Sequence, residues 1–442
     1  MGIEGLVADF EARGLVHDCT DLEALARRLA DGPVTVYHGI DPTADSLHVG
    51  HLVGVLALRR FQLAGHHAVA LAGGATGMVG DPSGRSAERN LLDADTLGAN
   101  VAAIKEQMSR LLGDDGEWTL VDNHEWTAEL TLLPFLRDVG KHFTVNRMVA
   151  KESVRARIES EDGISFTEFS YMLLQAYDYL VLHERLGCEL QIGGSDQWGN
   201  ITAGIDLIRR HRGASVHGLT WPLVTRADGR AFRKSEGGDT LVTRADGRAF
   251  RKSEGGDTPW LAAARTTPYR FFQFWIHTDD RDVDRYLRIF TFLDVEEIDA
   301  AVARSAEAPE RREGQRLLDR TVTAMVHGPD AAAAAAEASA VLFGAPLDGV
   351  SARALATLAA EVPSLSVARH LLDDGVELVE LLTLTGLATS RSDAQRLIAG
   401  GGVYVNDRRE AEPRTLGSGD LLQGRYMLLR KGKREYSLVE AV

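Results

Sequence analysis

The sequence predicts an α/β protein: a parallel-sheet domain with a helical insertion, then an α-helical domain and a small C-terminal α+β domain. Two observations support this fold class. In the first half, short β-branched runs alternate with helix-length amphipathic segments, which is the pattern of βαβ units. In the tail, a helical pattern leads through a glycine-rich turn into a strand. A length of 442 residues is in keeping with about three domains.

The first βαβ unit is predicted most clearly. A strand at 34–40 is followed by a loop and by a helix at 47–64, in which Leu52, Val55 and Leu56 recur near helical spacing. Gly65 stands where a helix commonly ends. A second buried strand at 68–72 completes the unit, which predicts a parallel sheet with ligands at the carboxyl ends of its strands.

The later elements follow from the same patterns. The sheet is predicted to resume at 188–192 and 219–225 after a helical insertion, and a helix is predicted at 390–398 in the tail. The domain boundaries predicted in this way are a sheet domain at 1–222, a loop region at 223–258, a helical domain at 259–345, a linker at 346–375 and a small domain at 376–442.

Composition excludes several classes of protein. The chain is 44% hydrophobic and 26% charged, which rules out a disordered chain, and no apolar run is long enough to span a membrane. The first ten residues carry Glu4 and Asp9 and resemble no secretory signal. Two cysteines, Cys19 and Cys188, supply neither a disulfide framework nor a zinc cluster. We expect a soluble cytoplasmic protein.

Charge is distributed unevenly along the chain. The formal net charge of −15 argues against indiscriminate binding of nucleic acid, because the whole chain would repel phosphate. The stretch 377–442 is different, since its basic residues roughly cancel its acidic ones. A nucleic-acid partner that meets a local basic patch is therefore compatible with the composition.

One segment is repeated without change: residues 223–240 recur at 241–258. Repeat folds need several units whose copies normally differ, so this repeat indicates a recent tandem duplication or an assembly error and not an architecture. Each copy carries a basic loop suited to triphosphate, Ala231-Phe-Arg-Lys-Ser235 and its counterpart Ala249–Ser253. We predict that the first copy is the functional one, because it continues directly from the predicted strand.

The motif His48-Val-Gly-His51 lies where the loop after the first strand passes into the helix. Backbone N–H groups at a helix N-terminus favour phosphate, and two imidazoles add donors for its oxygens. Gly50 leaves room for a base or a ribose beside the backbone. A pair of surface histidines or a metal pair would show the same motif, but the preceding strand and the loop at 41–46 favour phosphate.

Two further groups of polar residues indicate a ligand. Tyr171, Gln175 and Asp178 lie at i, i+4 and i+7, on one face of a predicted helix. A ligand with an ammonium and a hydroxyl would satisfy them if they are buried, and a mixed surface face is the alternative. Asp196 and Gln197 follow a strand end, where an α/β sheet presents contacts to ribose and substrate.

Taken in this order, these motifs resemble those of the bacterial tyrosyl-tRNA synthetases, a family of class I aminoacyl-tRNA synthetases. His48–His51 resembles the HIGH signature and Ala231–Ser235 the KMSKS loop, while residues 164–171 and 193–200 are more specific. The tail resembles the S4-type RNA-binding domain. The resemblance implies a Rossmann-like catalytic domain, a helical domain of the anticodon-binding type and an S4-like domain.

The resemblance also implies the reaction. L-Tyrosine and ATP would form tyrosyl-adenylate, and tyrosine would pass to tRNA(Tyr) with release of AMP and pyrophosphate. The tyrosine carboxylate attacks the α-phosphate, so that no general base is needed. Mg²⁺ would enter with ATP, and no protein-held metal or tightly bound cofactor is expected. A homodimer is implied, with the interface expected at 141–166 through Phe143, Val145, Met148 and Val149.

By the same resemblance, each candidate residue has a role. The catalytic residues would be Thr43, His48, His51, Lys234 and Ser235. The tyrosine-binding residues would be Tyr37, Asp81, Tyr171, Gln175, Asp178 and Gln197. The ATP-binding residues would be Gly39, Asp41, His48, Gly50, His51, Gly194, Asp196 and Lys234.

The sequence departs from the family pattern in places. His38 stands where the family often has a cysteine next to the ribose, and Arg85 replaces a lysine. Ala231 replaces the first lysine of the KMSKS-like loop, and Arg233 replaces a small residue. These departures bear on the efficiency of activation.

Two other functions would explain part of the sequence. A different class I-like nucleotidyltransferase would share the His48–His51 corner but would need neither Tyr37 with Asp178 nor an S4-like tail. A non-catalytic RNA-binding relative would keep the tail and lose the corner residues. The sequence carries both features, which favours the synthetase.

Overall fold

A computed structural model describes residues 5–81, 92–151, 154–155, 158, 163–227, 258–432 and 435–442. These residues form two compact units. The first contains residues up to 227 together with 258–265 and 278–318, and the second contains 266–277 and 319–442. The candidate site lies in the first unit.

The first unit is built on a parallel sheet of five strands in the order β3-β2-β1-β4-β5. Its strands are β1 (Thr35–Ile40), β2 (His67–Ala72), β3 (Trp118–Asp122), β4 (Cys188–Gly194) and β5 (His217–Trp221). Strand β1 is central: the chain continues to β2 and β3 on one side and then crosses to β4 and β5 on the other, so the direction of winding changes between β1 and β4. Ligands bind at the carboxyl ends of strands at such a point.

Helices connect and cover these strands. They are α1 (Leu6–Ala12), α2 (Leu22–Ala30), α3 (Val49–Leu63), α4 (Ala94–Leu112), α5 (His124–Thr127), α6 (Leu132–Pro134), α7 (Val145–Val149), α8 (Phe166–Leu186) and α9 (Trp198–Arg212). Helix α3 is buried on nearly every face, which explains why it is apolar through most of its length. Gly65 follows it at φ +90°, as expected for a residue that ends a helix.

Helix α8 carries three of the predicted site residues. The side chain of Ser165 caps its N-terminus by accepting from the backbone of Glu168, and Gly187 ends it in the left-handed region at φ +62°. One of its faces packs with α9 into a core that includes Met172, Ala176 and Tyr179. This packing fixes which helix face meets the sheet.

The next helices along the chain are α10 (Pro268–Ile276), α11 (Asp280–Phe290) and α12 (Val295–Glu307). Two buried arginines of the first unit hold the end of α11. Arg13 donates to the carbonyl oxygens of Arg288 and Leu293, and Arg60 donates to that of Thr291. The last carbonyls of α11 lack partners within the helix, and the two guanidinium groups supply them.

The second unit contains α13 (Glu313–His327) in part, α14 (Pro329–Leu342), α15 (Ala352–Glu361), α16 (Arg369–Asp374), α17 (Leu378–Leu384) and α18 (Arg391–Ala399). Its main sheet has the order β6-β12-β11-β8-β9, and β7 pairs with β10. These strands are β6 (Ser364–Val367), β7 (Val376–Glu377), β8 (Val403–Val405), β9 (Arg408–Glu410), β10 (Thr415–Leu416), β11 (Tyr426–Lys431) and β12 (Glu435–Ala441). The fold class predicted from the sequence, including the small α+β domain, is confirmed.

The structure differs from the sequence analysis at three places. The strand expected at 219–225 is β5, which ends at Trp221 because Pro222 has no N–H to continue the ladder. The strand β3 was not predicted, because its residues are only partly buried and its pattern is weak. The stretch 346–375, expected as a linker, contains α15, β6 and α16, and β6 pairs with β12.

The helical stretch 259–345 does not form a separate unit in the structure. Its helices divide between the two units, since α11 and α12 join the first while α10 and α14 join the second. In the second unit, Tyr269 of α10 and Ala338 of α14 share an apolar core with Leu355 of α15. No helix among the described residues is long and apolar enough to cross a membrane.

Candidate active site

The candidate site lies at the carboxyl ends of β1 and β4. From β1 the chain passes through Asp41 and Thr43 to His48, which is the N-cap of α3. From β4 it passes through a short turn, Ser195–Gln197, into α9. The sheet therefore brings both predicted loops to one edge, as expected for parallel strands.

His48 and His51 form one stacked pair at the start of α3. Their ring centroids lie 3.8 Å apart with 19° between the planes. Nδ1 of His48 accepts from the backbone N–H of Gly50 at 3.0 Å, and Nδ1 of His51 accepts from that of His48 at 3.3 Å. A neutral imidazole that accepts at Nδ1 carries its proton on Nε2. In the neutral form each ring thus carries its proton on Nε2, beside the helix N-terminus.

Tyr37 and Asp178 form the buried end of the site. Only 1% of Tyr37 and 2% of Asp178 is exposed, and the Tyr37 hydroxyl has no hydrogen-bond partner among the described residues. Burial and the nearby Asp178 carboxylate raise the pKa of Tyr37 well above its ordinary value. A buried hydroxyl without a partner is costly, and a polar ligand group would satisfy it.

The Asp178 carboxylate is held by two donors. Asn123 donates from Nδ2 at 2.9 Å and Trp126 donates from Nε1 at 2.8 Å. Burial raises the pKa of Asp178 to about 7 in spite of these hydrogen bonds. The charged and neutral forms are therefore both populated near neutral pH.

Two further carboxylates, Asp41 and Asp81, accept hydrogen bonds from predicted site residues. The Tyr171 hydroxyl donates to Oδ2 of Asp41 at 2.9 Å, and Thr76 donates to the other oxygen of Asp41 at 2.7 Å. Asp81 accepts from Nε2 of Gln197 at 2.7 Å. The structure thus joins Tyr171, a predicted tyrosine-binding residue, directly to Asp41, a predicted ATP-binding residue.

Two amide oxygens in this region have no partner among the described residues. They are Oε1 of Gln175 on α8 and Oε1 of Gln191 on β4. Gln191 lies beside Tyr37 in the parallel register of β4 and β1 and is 3% exposed. Both oxygens are acceptors that a bound molecule with N–H or O–H groups would satisfy.

Glycines keep this edge of the sheet open. A Cβ on Gly73 would lie 2.3 Å from a carboxylate oxygen of Asp41, and one on Gly74 would lie 2.3 Å from Asp122. A Cβ on Gly194 would lie 2.7 Å from the Asp196 carboxylate. Side chains at these positions would displace the carboxylates. Asp196 itself is exposed at the mouth of the site.

The His38 side chain occupies space that a glycine on α3 leaves open. A Cβ on Gly54 of α3 would lie 2.1 Å from Nε2 of His38, so only glycine leaves room for the imidazole. Its Nδ1 lies 3.2 Å from the carbonyl oxygen of Ile192, and its ring packs edge-on against Trp221 at 5.4 Å. Burial lowers the pKa of His38 to about 4, which keeps the ring neutral. The departure at His38 is thus accommodated by α3.

Comparison with known proteins identifies the family. Residues 29–344 match the model for the class I tRNA synthetases (W and Y), and residues 354–439 match the tyrosine–tRNA ligase SYY-like C-terminal domain. The chain is 53% identical to a tyrosine–tRNA ligase of Opitutus terrae over 99% of this chain and 100% of that protein. It belongs to the class I tyrosyl-tRNA synthetases. The predicted family and the predicted ligase activity are confirmed.

Other relatives give the same result. A tyrosine–tRNA ligase of Geobacillus stearothermophilus is 48% identical over 98% of this chain and 99% of its own. The structure of a C-terminally truncated mitochondrial tyrosyl-tRNA synthetase of Aspergillus nidulans superposes with a TM-score of 0.66 at 31% identity. It covers 76% of this chain and 94% of that one.

The structure brings most of the predicted synthetase site together. Gly39, Gly50 and Thr43 lie along the same edge as the histidines. Lys234 and Ser235 of the predicted KMSKS-like loop, its second copy and Arg85 lie outside the described residues. The sequence reasoning missed the residues that hold or border the buried end, which are Thr76, Asn123, Trp126 and Gln191. The one available signal was the pairing of polar and aromatic residues just after β3.

The pKa of Asp178 leads to a prediction. The preference for tyrosine over phenylalanine, measured as the ratio of kcat/KM in ATP–pyrophosphate exchange, should rise between about pH 6 and about pH 8. Over that range the buried carboxyl loses its proton and becomes the stronger acceptor for a phenol hydroxyl. A preference that does not change with pH would contradict this assignment.

Two variants test the assignment of Asp178 further. Asp178→Asn should flatten the pH profile and narrow the preference by about one to two decades, since a hydrogen bond to a charged group contributes about 1.5–3 kcal/mol. Tyr37→Phe removes a neutral partner, so it should narrow the preference less and leave its pH dependence in place.

Proposed function

We propose that this chain activates L-tyrosine with ATP and transfers it to tRNA(Tyr), with the residues of the candidate site in the roles given below. The observation that carries the proposal is that the buried hydroxyl of Tyr37, near the Asp178 carboxylate, has no hydrogen-bond partner among the described residues. The phenol hydroxyl of a tyrosine substrate bound at this end would form hydrogen bonds with both groups. Phenylalanine would leave them unpaired, and this is the basis of rejection by a polar pocket.

The amino group of the substrate needs acceptors. Asp81 supplies a carboxylate, and Gln175 supplies a buried amide oxygen without a partner among the described residues. Tyr171 would act with them while it donates to Asp41. Gln197, which donates to Asp81, would lie near the substrate carboxylate and the α-phosphate.

In the first step, an oxygen of the tyrosine carboxylate attacks the α-phosphorus of ATP. The bond from that phosphorus to the bridging oxygen of pyrophosphate breaks, and the charge moves to the leaving group. Because the nucleophile is already an anion, the protein contributes position and charge stabilisation. The Nε2–H donors of His48 and His51, with Thr43, Lys234 and Ser235, would stabilise that charge.

ATP would lie along the open edge of the sheet. Gly39, Gly50 and Gly194 leave room for the nucleotide beside the backbone, and Asp196 would accept from the ribose hydroxyls. Asp41 would lie on the same side. Mg²⁺ would arrive with ATP as part of the substrate and neutralise phosphate charge.

In the second step, tRNA(Tyr) takes tyrosine from the adenylate and AMP leaves. We assign tRNA binding to the S4-like tail. Most of its arginines are ion-paired, for example Arg414 with Glu410 and Asp420. Arg408 and Arg409 are exposed on β9 and form no ion pair within the part of the chain that is described. Since charging of tRNA serves translation, we infer a cytoplasmic location.

The decisive experiment is ATP–pyrophosphate exchange. Exchange should depend on tyrosine and should not be supported by tryptophan or phenylalanine at comparable concentration. Exchange with tryptophan alone would overturn the substrate assignment. Failure with all three amino acids, in a folded protein, would overturn the activity.

The repeat can be tested residue by residue. The described start of the first copy is tied to α11, where Tyr286 donates to the carbonyl oxygen of Thr225 and Asp282 accepts from the backbone of Ala227. These contacts fix the start of the first copy directly after β5, which supports the first copy as the functional one. Lys234→Ala should slow activation by about tenfold or more, a loss of about 1.4 kcal/mol. Lys252→Ala is the matched control and should do little, and the reverse order of effects would assign the second copy.

The role of the tail in tRNA binding can be tested by substitution, without truncating the chain. Arg408→Gln with Arg409→Gln should leave pyrophosphate exchange unchanged. It should raise the KM for tRNA and reduce the slope of log KM against log salt by about two. The control is Arg353→Gln with Arg425→Gln, which removes the same charge from arginines paired with Asp330 and Glu440. Equal effects of both double variants would show that only net charge matters.

A homodimer is our proposal for the assembly, with the interface on the insertion. Of the residues expected there, Met148 is buried in the core and Phe143 packs against it, so neither is available. The exposed apolar side chains in the insertion or just before it include Leu132, Leu133, Leu136, Val145, Val149, Ile158 and Phe166. Large exposed apolar groups of this kind mark interaction surfaces.

The dimer is tested by light scattering at micromolar concentration. The unmodified chain should be a dimer, and Leu133→Asp with Phe166→Asp should give a monomer, because both side chains are 77% exposed and apolar. Phe343→Asp, at an equally exposed site in the second unit, should remain dimeric. A monodisperse monomer of the unmodified chain would rule the proposal out.

A further inference from the structure

A short segment after the repeat returns to the start of α3. The backbone N–H of Val49 donates to Pro259 at 3.1 Å, and that of Leu261 donates to Leu47 at 2.8 Å. These bonds place Trp260 directly opposite His48 in an antiparallel bridge. No motif in the sequence marks Trp260, and its position follows from this pairing alone.

The side chains of the same segment form a continuous stack with the two histidines. The Arg265 guanidinium lies over the Trp260 ring, 4.8 Å from its centroid. The Trp260 ring packs edge-on to His48, with centroids 5.9 Å apart and 69° between the planes. His48 in turn stacks on His51. Arg265 is anchored at its outer end by an ion pair with Asp45.

The stack adds to the hydrogen bond from Gly50 in restraining the His48 ring. The bond from Gly50 to Nδ1 fixes one atom of the His48 imidazole, and rotation about that contact would swing the opposite Nε2–H. His51 covers a face of the ring and Trp260 contacts it at an angle, so that the ring plane is held. Stabilisation of developing charge depends on donors that are already in position.

We propose that Trp260 is a positioning residue for tyrosine activation, which acts by fixing the orientation of His48, with Arg265 holding the indole from its other side. The inference rests on the proposed activation of tyrosine by ATP. Because Trp260 contacts His48, it would act on the reaction through that residue. Its loss should therefore lower the rate of activation and leave the affinity for tyrosine nearly unchanged.

The principal variants are Trp260→Leu and Trp260→Phe. In pyrophosphate exchange Trp260→Leu should lower kcat by about tenfold or more, since a misplaced group costs up to about a hundredfold. The KM for tyrosine should stay within about twofold. Trp260→Phe keeps an aromatic edge against His48 and should recover most of the rate. An equal rise in the KM for tyrosine, or no recovery by Trp260→Phe, would overturn the proposal.

A double-variant cycle separates positioning from general destabilisation. In a His48→Ala background, Trp260→Leu should cost nothing further, because there is no imidazole left to orient. Additive losses would show that Trp260 acts by another route. Trp118→Leu is the matched control, since that ring lies on β3, donates to the Gly113 carbonyl oxygen and is distant in sequence from the corner. It should lower the melting temperature without changing kcat.

Two further measurements keep the proposal testable if Trp260→Leu does not fold or if exchange is absent. Arg265→Met, which removes the cation and keeps the length, should lower kcat in the same direction by a smaller factor, again only when His48 is present. In histidine-labelled protein, long-range ¹H–¹⁵N spectra should show His48 protonated at Nε2. Trp260→Phe should preserve that signal and Arg265→Met should broaden it. A His48 signal unchanged by Arg265→Met would contradict the stack, whatever the activity of the chain.

Discussion

The parallel pairing of β1 with β2 on one side and β4 on the other is the constraint on which the site depends. This pairing brings the chain that leaves β1 toward α3 and the chain that leaves β4 toward α9 to the same edge of the sheet. It also sets Tyr37 beside Gln191 in register. A slip of one residue would turn Tyr37 to the other face of the sheet and away from Asp178.

The candidate site contains several buried polar groups that a ligand could satisfy. At the candidate site, the Tyr37 hydroxyl and the amide oxygens of Gln175 and Gln191 have none among the described residues. Each costs free energy in the absence of a ligand, and a ligand that satisfies them recovers it. Specificity for a phenol follows from the same cost.

The histidine corner shows how local sequence and distant chain combine. The N-cap geometry of His48 and the donor at Gly50 are local to the motif. The Trp260 ring comes from far along the chain, past the repeat, and the neutral His38 fits only because Gly54 on α3 leaves space for it. Because the interior is closely packed, the residue at 38 and the residue at 54 depend on each other: a side chain at Gly54 would have no room beside His38.

The sequence by itself determined the fold class, the family and most of the site. Strong periodicity gave β1, α3, β2 and α8, and helix spacing put Tyr171, Gln175 and Asp178 on one face, because these features depend only on neighbours in the chain. Only the tertiary structure decided the rest. The contact of Tyr171 with Asp41, the donors Asn123 and Trp126 on Asp178, and the place of Trp260 at His48 join residues far apart in sequence. The stretch 346–375 forms two helices and a paired strand for the same reason, since a short strand such as β6 is stabilised by its partner and not by its own pattern.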